Sequence, residues 1–231
     1  MSKPDLLLLH GALGSSSQVA PLSLFLENEF SPGLMDFSGH ANPSLFIKDF
    51  SFDVFVEDIY NWAGRMSLSK VNLFGYSMGG YAALLFAHRY PDKVNKIFTL
   101  GTKLLWTEEE SQKESAFLNP GRMEEKAPQF ANRLKQMHGL THWASLVNKT
   151  SAFIESMGTN APLTMEIYQQ LKCRVLLAVG DKDTMAKVDD TVKVYGWLQN
   201  GELLVIPNTS HSIEKVDMES LANEIKRFMK S

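Results

Sequence analysis

The chain has 231 residues, of which 44% are hydrophobic and 21% charged, and its formal net charge is -3. This composition is typical of a soluble globular domain, and the lack of a long basic run disfavours nucleic acid or an anionic membrane as a partner. The run Leu6–Leu9 is too short for a signal peptide, and no stretch reaches the ~20 apolar residues of a membrane span. The single cysteine, Cys173, allows no intramolecular disulfide, so we expect a cytoplasmic protein in which this side chain packs.

Short apolar runs alternate with helical patterns along most of the chain. The predicted strands, in chain order, are Leu6–Leu9, Gly33–Asp36, Lys70–Phe74, Val94–Leu100, Arg174–Val179 and Glu202–Ile206. The predicted helices are Ser17–Glu27, Phe52–Met66, Met78–Tyr90, Asp189–Leu198 and Asp217–Met229. Apolar strands that alternate with helices indicate an α/β fold with a mostly or wholly parallel sheet of about six strands, covered by helices on both faces.

The alternation stops between residues 106 and 168, where helical patterns occur without a convincing strand. One predicted helical face combines Ala127, Phe130, Ala131, Leu134 and Met137. His142–Met157 is a further helix candidate. We therefore predict one domain over residues 1–231, with a helical cap inserted at about 106–168 and folded over the site.

The pentapeptide Gly75-Tyr-Ser-Met-Gly79 joins the third predicted strand directly to a helix. In this context Ser77 is predicted to lie on a sharp strand–turn–helix turn as an exposed nucleophile. The N–H of Met78, at the start of the helix, is a candidate donor to an oxyanion. The alternative is a serine that only caps an ordinary helix.

A serine hydroxyl needs a base within hydrogen-bonding reach. Among six histidines, His211 follows the last strand, and open α/β sheets place their sites in loops at the carboxyl ends of the strands. Asp181 and Asp183 both follow the fifth strand and are candidates for the acid that orients this base. Either aspartate could instead only cap a turn.

The first strand is followed by His10-Gly-Ala-Leu-Gly14, whose glycines permit a close approach of the backbone. The N–H of Ala12, or alternatively that of Leu13, is predicted as the second oxyanion donor. The segment does not match a phosphate-binding loop, because it lacks both the Lys-Ser/Thr pair of a P-loop and the third glycine of a dinucleotide fingerprint.

Together these motifs resemble those of the α/β-hydrolase superfamily, from about residue 5 to the end except in the cap. Asp36–His40 is similar to the D-x-x-G-H-G loop of that family, with Ala41 in place of the last glycine. The resemblance implies an α/β-hydrolase fold and a triad in the order Ser, Asp, His, and it places the acid at Asp183, three residues after Gly180. Family members usually have two antiparallel strands before the His-Gly strand. Only Met1–Asp5 precede it here, so we expect these strands to be absent.

The elbow is also similar to that of the menaquinone-pathway SHCHC synthase group, whose motif continues with Arg where this chain has Tyr81. The missing cation counts against that lyase activity. We predict a serine hydrolase that cleaves a neutral carboxylic ester or thioester through an acyl-enzyme, with His211 as base and no metal or organic cofactor. The alternatives are a lyase or C–C bond hydrolase on the same fold, and a non-catalytic ligand-binding protein.

Residues next to the catalytic groups predict the walls of the substrate site: Leu13, Tyr76 and Trp106. The cap is expected to add Phe130, Met137, Trp143, Phe153 and Met157. These apolar walls favour a small neutral acyl ester as the partner. Arg122 or Arg133 could bind an anionic substrate, or both could be solvated surface residues. The sequence predicts no particular oligomeric state.

Overall fold

A computed structural model of the chain describes residues 5–41 and 50–231. Its strands are β1 (Leu6–Leu9), β2 (Pro32–Leu34), β3 (Val71–Tyr76), β4 (Val94–Leu100), β5 (Arg174–Gly180) and β6 (Gly201–Ile206). They form one six-stranded sheet in the order β2-β1-β3-β4-β5-β6, and every neighbouring pair is parallel. The predicted α/β class with a parallel six-stranded sheet is confirmed. The expectation for the first five residues falls almost entirely outside the described part of the chain.

The described residues form ten α-helices. These are α1 (Ser16–Leu26), α2 (Phe52–Arg65), α3 (Met78–Arg89), α4 (Glu108–Ser115), α5 (Pro120–Lys126), α6 (Pro128–His138), α7 (Trp143–Asn160), α8 (Met165–Gln170), α9 (Val188–Tyr195) and α10 (Met218–Lys230). Helices α1 and α10 pack on one face of the sheet, and α2, α3 and α9 pack on the other. No helix in the described ranges is long and apolar enough to cross a membrane.

Strand β1 illustrates why the sequence forms a sheet that is buried on both faces. Its four leucines are all fully buried. Leu7 and Leu9 join the apolar cluster on one face, while Leu6 and Leu8 join the cluster on the other. Since successive side chains of a strand point to opposite faces, a strand between two helical layers must be apolar throughout. Truncating one of these leucines to alanine would cost about 2–5 kcal/mol of stability.

The five helices α4–α8 lie between β4 and β5, where the cap was predicted. Phe153 and Met157 of α7 belong to the same apolar cluster as the main-domain helices α2 and α3. Conversely, Leu13, which belongs to the loop after β1 in the main domain, packs in an apolar cluster whose other buried members are cap residues. The cap and the loop that carries Ala12 are therefore in direct contact.

Candidate active site

Ser77 lies between β3 and α3 in a strained backbone conformation. Its φ is 51° and its ψ is -116°, a combination that costs a non-glycine residue about 1–3 kcal/mol. Its N–H donates to the Leu100 carbonyl over 2.9 Å, and its own carbonyl accepts from Thr102 Oγ1 over 3.0 Å. Its hydroxyl makes no capping hydrogen bond to α3, which argues against the helix-cap alternative. The turn is thus held by the end of β4, and the Ser77 hydroxyl is left for other partners.

Two glycines allow the loop after β1 to approach this turn. A Cβ atom on Gly79 would lie 2.6 Å from the His10 carbonyl oxygen, which is too close for any side chain. A Cβ atom on Gly11 would lie 2.9 Å from the Tyr76 ring and 3.3 Å from Ser77 Cβ. Glycine at these positions therefore places the predicted oxyanion loop directly beside Ser77.

His211 and Asp183 are joined by a hydrogen bond between Nδ1 and Oδ2 of 2.8 Å. The Asp183 side chain is 1% exposed and that of His211 is 18% exposed. The other oxygen of Asp183 accepts the N–H groups of Met185 at 2.9 Å and Ala186 at 2.8 Å. Because Oδ1 is occupied, Oδ2 faces the imidazole, and this bond places the proton of a neutral His211 on Nδ1. Nε2 is then the nitrogen that can accept a proton.

The His–Asp pair lies at the same edge of the sheet as Ser77. A Cβ atom built on Gly101, the residue after β4, would be 3.1 Å from Asp183 Oδ2 and 3.5 Å from His211 Nδ1. Gly101 follows Leu100, whose carbonyl binds the N–H of Ser77. No hydrogen bond between Ser77 Oγ and His211 is formed among the described residues, and such bonds commonly tighten only when substrate is bound.

Asp181 has a different environment. Its Oδ1 accepts the N–H of Thr209 over 3.1 Å, and the N–H of Lys182 donates to the Thr209 carbonyl over 3.0 Å. Hydrogen bonds from the main-chain N–H groups of Asn208 and Thr209 lower the pKa of Asp181. This carboxylate therefore joins the loop after β5 to the loop that carries His211.

The predicted oxyanion donors belong to two adjacent segments. Met78 is the first residue of α3, where main-chain N–H groups have no helical acceptor. Ala12 lies in a turn closed by a 3.1 Å bond from the Gly14 N–H to the Gly11 carbonyl, and Gln18 Oε1 accepts the Gly11 N–H over 3.0 Å. Within the described part of the chain, neither Met78 nor Ala12 has an acceptor for its N–H. An oxyanion site requires two free donors, so both residues remain candidates for that role.

Three other histidines are buried in a cluster formed by His10, His40 and His138. Nδ1 of His10 donates to the Gly11 carbonyl over 2.8 Å, and its Nε2 accepts the Phe37 N–H over 3.1 Å. Burial lowers the pKa of His10 to about 4 and also lowers the pKa values of His40 and His138. These rings are held neutral by their surroundings, so His211 is the better candidate for the base.

Two of the predicted wall residues have contacts that the sequence did not predict. Tyr76 is 5% exposed, and its hydroxyl donates to the main-chain carbonyl of His211 over 3.0 Å. Leu13 is 7% exposed and packs inside the cap cluster. These contacts give both residues a supporting position around the predicted catalytic groups.

Trp106, the third predicted wall residue, is partly exposed and lies beside a neutralised cation. Lys103 Nζ is 5.0 Å from the centre of its ring. The same ammonium pairs with Glu114 at 2.7 Å and with Glu110 at 3.4 Å. A cation that already has two carboxylate partners is a poor site for a substrate anion.

Tyr81 is buried at the position where the lyase motif continues with Arg. Its hydroxyl accepts the Leu163 N–H over 3.0 Å, and its ring stacks on Phe52 with centroids 4.3 Å apart. Arg122 and Arg133 are exposed, so neither is a buried cation. Tyr81 thus joins the cap to the main domain and supplies no charge.

Cys173 has the packing role that the sequence predicted. It is a free, partly buried thiol that packs against the main apolar cluster. Burial raises the pKa of this thiol to about 11, so it is protonated at neutral pH. A protonated thiol is a poor nucleophile.

Comparisons with known proteins agree with this fold. The family model described as the α/β hydrolase fold matches residues 4–170. Human serine hydrolase BPHL is 22% identical and aligns over 90% of this chain and 72% of its own length. The carboxylesterase CesB from Bacillus subtilis superposes with a TM-score of 0.80 at 18% identity, covering 99% of this chain and 84% of that one.

A second solved structure, the enol-lactonase from Burkholderia xenovorans LB400, superposes with a TM-score of 0.79 at 16% identity. That match covers 100% of this chain and 93% of the lactonase. At these identities the structural matches show the fold alone, and the family model, which covers most of the chain, shows the family. The chain belongs to the α/β-hydrolase family.

Proposed function

We propose that this protein is a serine hydrolase that cleaves a small neutral carboxylic ester or thioester through an acyl-enzyme on Ser77. The observation that carries the proposal is the 2.8 Å hydrogen bond from His211 Nδ1 to the buried carboxylate of Asp183, beside a serine in a strained turn. A base oriented by an acid and close to a partly exposed serine hydroxyl is the arrangement that activates a serine nucleophile. A non-catalytic binding protein has no need of it.

The reaction proceeds in two acyl-transfer steps. His211 Nε2 takes the proton of Ser77 Oγ as this oxygen attacks the carbonyl carbon of the substrate. The oxygen of the tetrahedral intermediate accepts the N–H groups of Met78 and Ala12. When the intermediate collapses, the alcohol or thiol leaves with the proton from His211. A water molecule, deprotonated by the same imidazole, then attacks the acyl-enzyme, releases the acid and regenerates Ser77.

Asp183 has two tasks in this mechanism. It holds the proton of His211 on Nδ1, so that Nε2 is free to accept the serine proton. It also stabilises the imidazolium that forms in each step. The reaction needs no metal or organic cofactor.

The cations near the site favour a substrate without charge. Tyr81 carries no charge, and Lys103 is paired with Glu110 and Glu114. An anionic acyl group would therefore meet no unpaired buried cation among these residues, and it would lose its hydration without compensation. The relatives support ester chemistry in general terms, because one is named a carboxylesterase and another a serine hydrolase.

The test is a series of p-nitrophenyl esters from acetate to decanoate, with a hemisuccinate ester as the anionic member. We expect kcat/KM to change with acyl length, because each buried CH₂ contributes up to ~0.8 kcal/mol. Ser77→Ala should lower the rate by on the order of 10⁴-fold or more, while Ser220→Ala on α10 should leave it unchanged. The highest kcat/KM for the hemisuccinate would refute the neutral substrate. Absence of turnover for every ester would favour the lyase or the binding protein.

A further inference from the structure

His138 is the last residue of α6 and connects the cap to two loops of the main domain. Its side chain is buried, with 3% of the residue exposed. Nε2 lies 2.9 Å from the carbonyl oxygen of Leu13, and Nδ1 lies 2.9 Å from the main-chain nitrogen of Ala41. One partner is a carbonyl and the other an N–H, so Nε2 must donate and Nδ1 must accept. Both bonds form only when the ring is neutral and carries its proton on Nε2.

Both partners of His138 have a left-handed backbone. The φ angle is 58° at Leu13 and 54° at Ala41. Residues with a Cβ atom rarely adopt this conformation, and it persists only where surrounding contacts hold it. The imidazole of His138 supplies such a contact to each of the two loops.

The Leu13 carbonyl is connected to the predicted oxyanion donor through two peptide groups. The first peptide group joins Leu13 to Gly14, and its N–H donates to the Gly11 carbonyl over 3.1 Å. The second joins Gly11 to Ala12, and a trans peptide points the Ala12 N–H away from that carbonyl. Hydrogen bonds to a carbonyl polarise its peptide group, which makes the N–H a stronger donor. Fixing the Leu13 carbonyl therefore helps to aim and strengthen the Ala12 N–H.

The side chain of Leu13 connects the same loop to the cap a second time. It packs in the apolar cluster that contains Leu134, on the same helix as His138, and Trp143 at the start of α7. Main-chain and side-chain contacts of one residue thus both depend on the position of α6. A displacement of the cap would disturb the loop that carries Ala12.

The groups around His138 favour its neutral form. Burial lowers the pKa of His138, while its bond to Leu13 and the carboxylate of Asp36 act in the opposite direction. The ring of His40 lies 6.2 Å away between centroids, and the ring of His10 lies 4.9 Å beyond that of His40. The cluster thus combines three buried imidazoles with one nearby carboxylate.

We propose that His138 is a positioning residue for the acyl-transfer reaction, which holds the Leu13 carbonyl from the cap and thereby sets the oxyanion donor at Ala12. The inference rests on the proposed function of Ser77 and extends it to a residue that touches neither substrate nor triad. It couples the position of the cap to stabilisation of the tetrahedral intermediate. An enzyme with a displaced cap would still bind ester but would react slowly.

Two amide substitutions separate the two bonds of His138. His138→Gln places an N–H₂ group near the position of Nε2, so it can still donate to Leu13 but loses the acceptor for Ala41. His138→Asn places its amide oxygen near the position of Nδ1, so it keeps the acceptor and loses the donor to Leu13. We expect kcat for a p-nitrophenyl ester to fall roughly ten-fold or more in His138→Asn, with KM little changed, and to stay near wild type in His138→Gln. Equal kcat values in the two variants, at comparable Tm, would overturn the proposal.

The unmodified protein provides a test that does not depend on the folding of a variant. Long-range ¹H–¹⁵N NMR of ¹⁵N-histidine-labelled protein at pH 7 should show His138 as a neutral ring protonated on Nε2, and phosphonylation of Ser77 should shift its Nε2 resonance. A charged His138 or a proton on Nδ1 would overturn the proposal. The Ser77→Ala control keeps the two proposals separate. Turnover in Ser77→Ala would refute the serine mechanism itself. If Ser77→Ala is inactive but His138→Asn and His138→Gln have equal kcat values, only the role of His138 is refuted.

Discussion

The Tyr76 hydroxyl donates a 3.0 Å hydrogen bond to the main-chain carbonyl of His211. The two rings lie 5.5 Å apart between centroids, and Tyr76 directly precedes Ser77 in the chain. The residue next to the predicted nucleophile thus holds the backbone of the predicted base. The distance between Ser77 and His211 depends in part on this bond.

Removing the Tyr76 hydroxyl should therefore slow the reaction, although the side chains of the predicted triad remain unchanged. We expect Tyr76→Phe to lower kcat about five-fold, the equivalent of one neutral hydrogen bond. Tyr168→Phe is the matched control, because its buried hydroxyl donates a 2.9 Å bond to the Leu104 carbonyl and to no residue of the predicted triad. Both variants should lose similar stability by thermal unfolding, and only the first should lose activity. Equal kcat values in the two variants would contradict the role given to Tyr76.

Asp183 and Asp181 should differ strongly when each is changed to asparagine. Asp183→Asn presents an amide to His211 Nδ1 and favours the wrong tautomer, so we expect kcat to fall by about 10³–10⁴-fold. Asp181→Asn keeps an oxygen that can accept the Thr209 N–H, so its kcat should stay within a few-fold of wild type. Steady-state kinetics on one ester decide the matter. A larger loss in the second variant would reverse the assignment of the acid.

Ala41 has a φ of 54°, in the region that glycine adopts at least cost. The same position is glycine in the D-x-x-G-H-G loop that this segment resembles. We expect Ala41→Gly to stabilise the fold by about 1 kcal/mol, because the strain of a left-handed alanine is removed. Ala152→Gly, on an exposed turn of α7, should destabilise it by a similar amount. Urea unfolding gives the change in the free energy of unfolding for each variant. If both substitutions destabilise the protein, Ala41 carries no strain.

The buried histidines make stability depend on pH. Burial lowers the pKa of His10 from 6.5 to about 4 and lowers the pKa values of His40 and His138 as well. Below pH 6.5 the unfolded chain binds protons at these positions while the folded chain does not. The stability that depends on these neutral histidines is therefore fully present above pH 6.5 and is lost as the pH decreases toward 4. The His10 shift alone corresponds to on the order of 3 kcal/mol.

Urea unfolding between pH 7 and pH 5 measures this effect. Carboxylates with a lowered pKa, such as Asp181, lose their contribution only at lower pH. Burial raises the pKa of Asp58, so this single carboxyl makes the folded state more stable as the pH falls. The three histidines together have the opposite and larger effect. The slope should be shallower in His138→Gln than in wild type. A free energy of unfolding that is constant across this range would contradict the neutral state of the cluster.

Much of the fold could be predicted from the sequence because its signals are local. The all-leucine run of β1 and the alternation of strands and helices predicted the parallel sheet. Strand β4 was predicted with its observed bounds, and β2 was predicted at Gly33–Asp36 but ends at Leu34. The pairing of β2 with β1 ends at Leu34, opposite Leu8, and beyond it the Asp36 carboxylate accepts the Ser16 N–H over 2.5 Å at the start of α1. A short strand followed by a side-chain contact of this kind has no local signature.

In the cap, the predicted helical face at residues 127–137 and the candidate His142–Met157 correspond to α6 and α7, whereas α4, α5 and α8 were not predicted as separate helices. Helix α4, with the sequence Glu-Glu-Glu-Ser-Gln-Lys-Glu-Ser, has no apolar stripe, and its contacts include ion pairs with Lys103 and Lys187. Hydrophobic periodicity cannot detect such a helix. The bond from His138 to Leu13 joins residues 125 positions apart, and no spacing rule relates them. The elbow and the His-Gly loop could be predicted because their geometry is encoded within a few neighbouring residues.

The most direct test of the account is the site at which a fluorophosphonate probe reacts. Only a serine activated by a base attacks this probe at an appreciable rate, and its phosphoryl oxygen occupies the position of the oxyanion. We expect one adduct per chain, mapped by peptide mass spectrometry to Ser77, and no adduct in Ser77→Ala. Labelling of another serine, or an unlabelled protein that still hydrolyses esters, would contradict it.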